Sequence, residues 1–511
     1  MKKTIVLLLC IATLTGLLCG CDAPDHVYIP TGDALDSTDV VPGGTRPEPV
    51  QQLRMAYFST RSMNPFTATD VTNRAILPLL YQGLFSTDRN YNTVPILCAG
   101  YVRSRDMMTH TFTLAEATFS DGSLLSAEDV VASLQAARDG GYYAGRFTHI
   151  TSVTAEQGKV VITTDIAMAD LALLLDIPIV KAGQTLQDHP IGTGPYVLDY
   201  TMSGLQLRRR SDWWCNAVTA VTASFIPLEP VSTVKEVRDE FEIGDVGLVC
   251  TDPGVDGYVD YRCDYEIWDC ESGYFLYLGI NRNSKVLSDE KIRTALTHAI
   301  DRDKLVETYY RDFGRSALLP ASPLSPVYDH SLAADYGYNL EKAMQALSGL
   351  EPEKATITLL VSSGQKLRLQ VGNAIADMLR QCGFTVTVTS VTAENFQTAL
   401  KQGKYDLYLA ETKLSPNMDL SAFFAPKGSL GYGGLENAPT YALCREALAN
   451  AGNFYNLHKQ VMDNGWLCPI LVRTYGIYAT RSLITDLTPT RDNLFFYTLG
   501  KTLDDVLTKG A

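Results

Sequence analysis

Beyond residue 18 the chain has no apolar run long enough to cross a bilayer, which takes about 18–20 such residues. None of its 11 cysteines forms a close Cys-x-x-Cys pair, so zinc-ribbon and thioredoxin-like chemistry lack their ligand set. Its seven histidines, at positions 26, 110, 149, 189, 298, 330 and 458, form neither HxH nor HExxH, which leaves no His-built metal site. There is no Gly-x-Ser-x-Gly elbow and no Walker sequence. Positive charge is also short. With 43 Lys and Arg against 57 Asp and Glu, the net charge is −14, which argues against a nucleic-acid partner. Acid pairs such as Glu128 and Asp129 fall at helix starts, where capping accounts for them. These absences favour a binding protein over an enzyme, and nothing points to a cofactor or a metal.

The N-terminus carries a processing signal. Lys2 and Lys3 precede an apolar stretch over residues 5–18, and Leu18-Cys19-Gly20-Cys21 follows. The stretch is too short for a mature spanning helix. Leu-x-Gly-Cys resembles the bacterial lipobox, which implies cleavage before Cys21 and a diacylglyceryl anchor on its sulfur. Residues 1–20 are then a lipoprotein signal peptide, and the mature chain sits on the extracytoplasmic face of the cell membrane. Residues 21–50 are rich in Pro, Gly, Thr and Asp and read as a disordered tether. Eight cysteines remain beyond it, in a compartment that permits disulfides. Cys263 and Cys270 are the pair nearest in sequence; a set of buried free thiols is the alternative.

From about Leu53, roughly 460 residues are enough for two or three domains. Leu53 to Phe58 reads as a strand, and residues 71–80 as a helix with Gly83 beyond its end. In the stretch 111–137 a strand is followed by the turn dipeptide Asp121-Gly122. Ser126 and Asp129 then cap a helix carrying Val130, Val131 and Leu134. Residues 169–175 read as an apolar helix. The turn over 190–196 lacks a third glycine and leads into a strand, so it is not a phosphate cradle. The Arg run 208–210 reads as a solvated strand face. Ser288 and Asp301 start two helices. Residues 355–410 alternate strand and helix, the pattern of a largely parallel sheet, which takes ligands at its strand ends. Residues 470–479 form a late strand.

Several blocks fall in the order of one family. Phe119-Ser120-Asp121-Gly122 with Ala127-Glu128-Asp129-Val130-Val131 looks like the signature of the family 5 solute-binding proteins of ABC transporters, which include oligopeptide- and dipeptide-binding proteins. Asn64-Pro65, residues 81–85, 190–196 and 289–303, and Gly403-Lys404-Tyr405-Asp406 resemble further blocks of it. The resemblance implies an α/β fold of the two-lobe, type II periplasmic-binding-protein kind, with an extra domain inserted in the first lobe. The first lobe would comprise 51–84, 189–270 and 476–511, the inserted domain 85–188, and the second lobe 271–475. Hinges are implied at Cys270-Glu271 and Tyr475-Gly476, with Gly273 and Gly476 absorbing the motion.

The function implied is a monomeric receptor that captures a peptide or similar polar solute between the lobes and delivers it to ABC permease subunits. A sensory or interaction lipoprotein with no transport role is the alternative. In peptide binders of the family the ligand pairs as an extra strand with two segments. Here these lie at Val71 and Thr72, and at Glu411, Thr412 and Lys413. Tyr274, Phe275 and Tyr277 are candidates to line the cleft. The family's amine-anchoring Asp is replaced by Ser415, so Glu411 or Asp419 is expected to take that role.

Overall fold

The computed structural model describes residues 52–258, 260–349 and 355–509; Cys21, the leader and the tether lie outside them. Its strands are β1 (Met55–Phe58), β2 (Phe85–Thr87), β3 (Thr93–Pro95), β4 (Cys98–Arg103), β5 (Thr109–Leu114), β6 (Ile150–Glu156) and β7 (Lys159–Thr164). There follow β8 (Tyr196–Thr201), β9 (Gly204–Arg209), β10 (Phe225–Val231), β11 (Leu248–Thr251) and the long β12 (Tyr265–Ile280). The remainder are β13 (Gly314–Ser316), β14 (Thr356–Ser362), β15 (Thr385–Val391), β16 (Leu407–Lys413), the long β17 (Leu467–Thr480) and β18 (Leu507–Lys509).

One large sheet runs in the order β15-β14-β16-β12-β17-β11-β1-β10-β9-β8, with β13 paired to β17. Its β14 end is the expected alternating unit: β14 pairs in parallel with both β15 and β16. The crossover helix Lys366–Gln381 buries Val371, Ile375 and Leu379, one stripe at helical spacing. Each such side chain contributes roughly 1.5–3 kcal/mol on full burial. Helix Ala393–Gln402 is capped by Thr392, which accepts from the Asn395 amide, and ends at Gly403 with φ +64°. Only glycine takes that left-handed conformation without steric cost.

A second, five-stranded sheet, β18-β4-β5-β7-β6, is built mainly from residues 98–164. Helix Ala127–Asp139 packs on it, opened by a reciprocal capping box between Ser126 and Asp129. Here the tail departs from expectation. Residues 507–509, assigned by resemblance to the first lobe, pair in parallel with β4 instead.

Other local expectations need correction. Residues 71–80 form two short helices, Val71–Arg74 and Leu77–Leu80, because Pro78 has no amide to carry one helix through. Residues 171–174 make only a 3-10 turn. Asp289, not Ser288, caps its helix by accepting from the Lys291 amide. Within the Arg run, Arg210 is buried and donates to the Thr118 and Phe119 carbonyls. Cys263 and Cys270 are not bridged; none of the eight described cysteines is in a disulfide, and all but Cys263 are buried.

Candidate functional site

The long strands β12 and β17 lie side by side in the middle of the large sheet and serve both of its ends. Cys270 pairs with Tyr475, and Glu271 with Thr474. β16 flanks β12 on the other side, with Tyr274 opposite Lys413 and Leu276 opposite Glu411. Between Glu271 and Phe275 the register slips, and Gly273 takes φ +76° inside that bulge. A Cβ on Gly273 would lie 2.3 Å from the guanidinium carbon of Arg491. The bulge therefore makes room for Arg491, whose Nη2 donates to the Leu414 carbonyl, while the Leu414 amide donates to the Gly273 carbonyl at 3.0 Å.

Three ionic clusters meet at this junction. In the first, Arg473 of β17 donates from Nε to Glu411 at 2.7 Å and pairs through Nη1 with Asp252. Arg368 adds a 3.1 Å contact to Glu411. Burial works against the Arg473 charge, but Glu411 and Asp252 outweigh it and hold the guanidinium firmly protonated. In the second, Glu271 accepts from the Tyr91 hydroxyl at 2.7 Å and the Ser322 hydroxyl at 2.5 Å. Arg315 lies 3.6 Å from Glu271 and 2.6 Å from Asp269, which Arg89 approaches to 4.0 Å.

The third cluster surrounds Asp492. Its carboxylate is 2.6 Å from Arg146 Nη2, 3.3 Å from Lys413 Nζ and 3.7 Å from Arg491 Nε, and it accepts from the Tyr142 hydroxyl at 3.0 Å. Arg146 also pairs with Asp176. Arg74 stacks 3.4 Å above the Tyr142 ring and donates to the Tyr143 hydroxyl at 2.8 Å. Lys413 Nζ lies 3.7 Å from the centre of the same Tyr142 ring. Burial would raise the Asp492 pKa, yet Lys413 and the arginines overcome it and hold the group ionised. Lys413 goes the other way: burial, reinforced by Arg491, Arg74 and Arg146, pulls its pKa well below 10.5 despite Asp492.

The expected site residues separate on this frame. Val71 lines a small cavity with Arg74, Tyr142, Arg491 and Asp492. Thr72 is buried, and its amide is held by the helix cap Asp70. Tyr274 faces the junction, with Arg473 4.7 Å from its ring centre and Lys413 5.8 Å. Thr412 pairs with Phe275 at the half-buried end of β16. Phe275 and Tyr277 do not line the junction; they stack on each other in a buried core where Tyr277 also meets Phe423 and Tyr408. Glu411 is committed to two arginines. Asp419 lies elsewhere, 3.3 Å from His149 Nε2. Neither carboxylate stands free for an amine.

Arg473, Asp492, Arg491, Arg146 and Tyr142 were not anticipated. Arg473 did carry a signal, a lone charge inside the apolar run Ile470 to Ala479. A charge on a buried strand needs a buried partner. The others sit in aperiodic segments that carry no such mark.

An α/β sheet with two ends served by the same pair of long strands, over a buried charged junction, defines a two-lobe binding protein of the type II periplasmic class. The description "Bacterial extracellular solute-binding proteins, family 5 Middle" matches residues 92–432, more than half of the chain. The chain therefore belongs to that family, whose members bind solutes and are not enzymes. The glutathione-binding protein GsiB of Salmonella paratyphi A is 23% identical over 350 residues, covering 65% of this chain and 68% of that protein. The substrate-binding protein CtaP of Listeria monocytogenes shares the fold with a TM-score of 0.70 at 17% identity, over 88% of this chain and 98% of that one. The murein tripeptide-binding protein MppA, in an unliganded open form, gives a TM-score of 0.70 at 17% identity over 89% and 99%.

Proposed function

We propose that this chain is the lipid-anchored receptor of an ABC importer and captures a short peptide or similar polar solute between two lobes. The lobes would be residues 51–84, 189–270 and 476–506 on one side and 271–475 on the other, with 85–188 an inserted domain to which the tail strand is added. The observation that carries this reading is the junction around Asp492. There Lys413 of the second lobe, Tyr142 and Arg146 of the inserted domain, and Asp492 and Arg491 of the first lobe come together. A solute bound at that point touches every part that must close, and such contacts shift an open-to-closed equilibrium. GsiB is named for glutathione and MppA for a murein tripeptide, which supports a ligand of about tripeptide size. Cys21 is the proposed lipid attachment and would tether the receptor beside the permease.

A thermal-shift screen of the full chain tests this reading with glutathione, pools of di- to tetrapeptides, and metal chelates. Binding to the native state alone stabilises by RT ln(1 + [L]/Kd), about 2.7 kcal/mol at a hundredfold excess over Kd. At least one peptide class is expected to raise the melting temperature; silence across all of them would count against the reading. Cys21→Ser is expected to release the protein from the membrane fraction.

A further inference from the structure

The three clusters at the junction differ in charge balance. Arg473 and Arg368 face Glu411 and Asp252, and Arg315 and Arg89 face Glu271 and Asp269. Both sets are even. The third is not: Arg74, Arg146, Lys413 and Arg491 surround Asp492 and Asp176, with Arg491 also near Glu271 of the second set. The arginines alone outnumber the carboxylates there three to two, inside a protein whose net charge is −14. Arg491 is 9% exposed, and its Nε and Nη1 make no hydrogen bond among the described residues. Buried cations in excess, with unfilled donors, are complementary to an anion; a guanidinium fork suits a carboxylate in particular.

Two small cavities adjoin Arg491. Arg491 lines one small cavity with Val71, Arg74 and Asp492, and a second with Tyr91 and Glu271. Tyr91 in turn lines an open groove of about 790 Å³, within the usual size range of ligand sites. The groove wall carries Asp88, Asp170 and Asp504 against Lys501. The Arg491 side is therefore richer in cations and the groove wall richer in acids.

We propose that the Asp492 cluster is a carboxylate subsite, in which Arg491 takes the anionic end of the solute through its unpartnered Nε and Nη1 beside Lys413. This rests on the solute-binding reading above and reverses the amine-anchored expectation, since Glu411 and Asp419 are both engaged. Arg491 keeps its Leu414 contact through Nη2 and offers Nε and Nη1 to the solute.

The test uses the full chain and pools of di- to tetrapeptides lacking Asp and Glu, each in free, N-acetylated and C-terminally amidated form. The free and acetylated pools are expected to raise the melting temperature and the amidated pool to leave it unchanged. For the best free peptide, Arg491→Gln is expected to weaken affinity at least tenfold by calorimetry, and Arg491→Lys to restore part of it. The unliganded Arg491→Gln protein should still fold with a cooperative melt, because Arg146 and Lys413 remain in contact with Asp492; loss of that folded transition would make Arg491 structural and overturn the assignment. Equal binding of amidated and free peptides, or loss of binding on acetylation alone, would overturn the carboxylate subsite and leave the solute-binding reading standing. No shift with any peptide pool, glutathione or chelate would remove both.

Discussion

Asp492 is one carboxylate among cations from three segments of the chain, and Arg473 is its mirror image, one guanidinium among carboxylates. Such groups are costly to bury and more costly to leave unpaired, so removing one partner is worse than removing both. Arg473→Met leaves Asp252 without its Arg473 contact and Glu411 with Arg368 as its remaining arginine contact. The loss is expected to be about 3–5 kcal/mol, read from urea unfolding. Urea stability within about 0.5 kcal/mol of the parent would show that the three-way pairing does not hold the junction. Lys413 was legible because it ends a strand entered through Gly403-Lys404-Tyr405-Asp406. Asp492 was not, because its partners Lys413 and Arg146 lie 79 and 346 residues away and no spacing rule links them.

At the scale of elements, regular periodicity was enough for the β14–β16 unit, where strand, helix and stop residue all agree with the packing. It failed where one residue overrides a pattern, as Pro78 does between the two short helices. It also missed the bulge in β12, because a glycine in a strand marks a bulge only once the partner strand is known. That bulge joins fold to site. Gly273→Ala places a side chain in left-handed backbone, at roughly 1–2 kcal/mol, and drives its methyl into Arg491. The expected result is a lower melting temperature together with weaker ligand binding. A variant that loses stability but binds unchanged would separate the bulge from the position of Arg491.

For the molecule as a whole, a few contacts tie the small sheet and its surroundings to residues 419–448. One backbone bond crosses there, from the Ala169 amide to the Leu448 carbonyl at 2.8 Å. His149 makes the titratable crossing. Its Nδ1 is 2.9 Å from Asp165, and its Nε2 is 3.3 Å from Asp419 and 3.1 Å from the Ser421 hydroxyl, with Tyr441 and Cys444 also near Asp419. Burial opposes the imidazolium, but Asp419 and then Asp165 outweigh it and raise the pKa above 6.5. The folded form thus holds this proton more tightly than the unfolded one. Its contribution is complete below pH 6.5 and is lost as pH rises through the raised value. Melting temperature and closure by small-angle scattering should therefore both fall as pH rises above 6.5, and His149→Gln should flatten the two profiles together. Because a group outside the carboxylate subsite sets that slope, the flattening should persist with ligand bound. Identical pH profiles in parent and variant would show that His149 does not couple closure to protons.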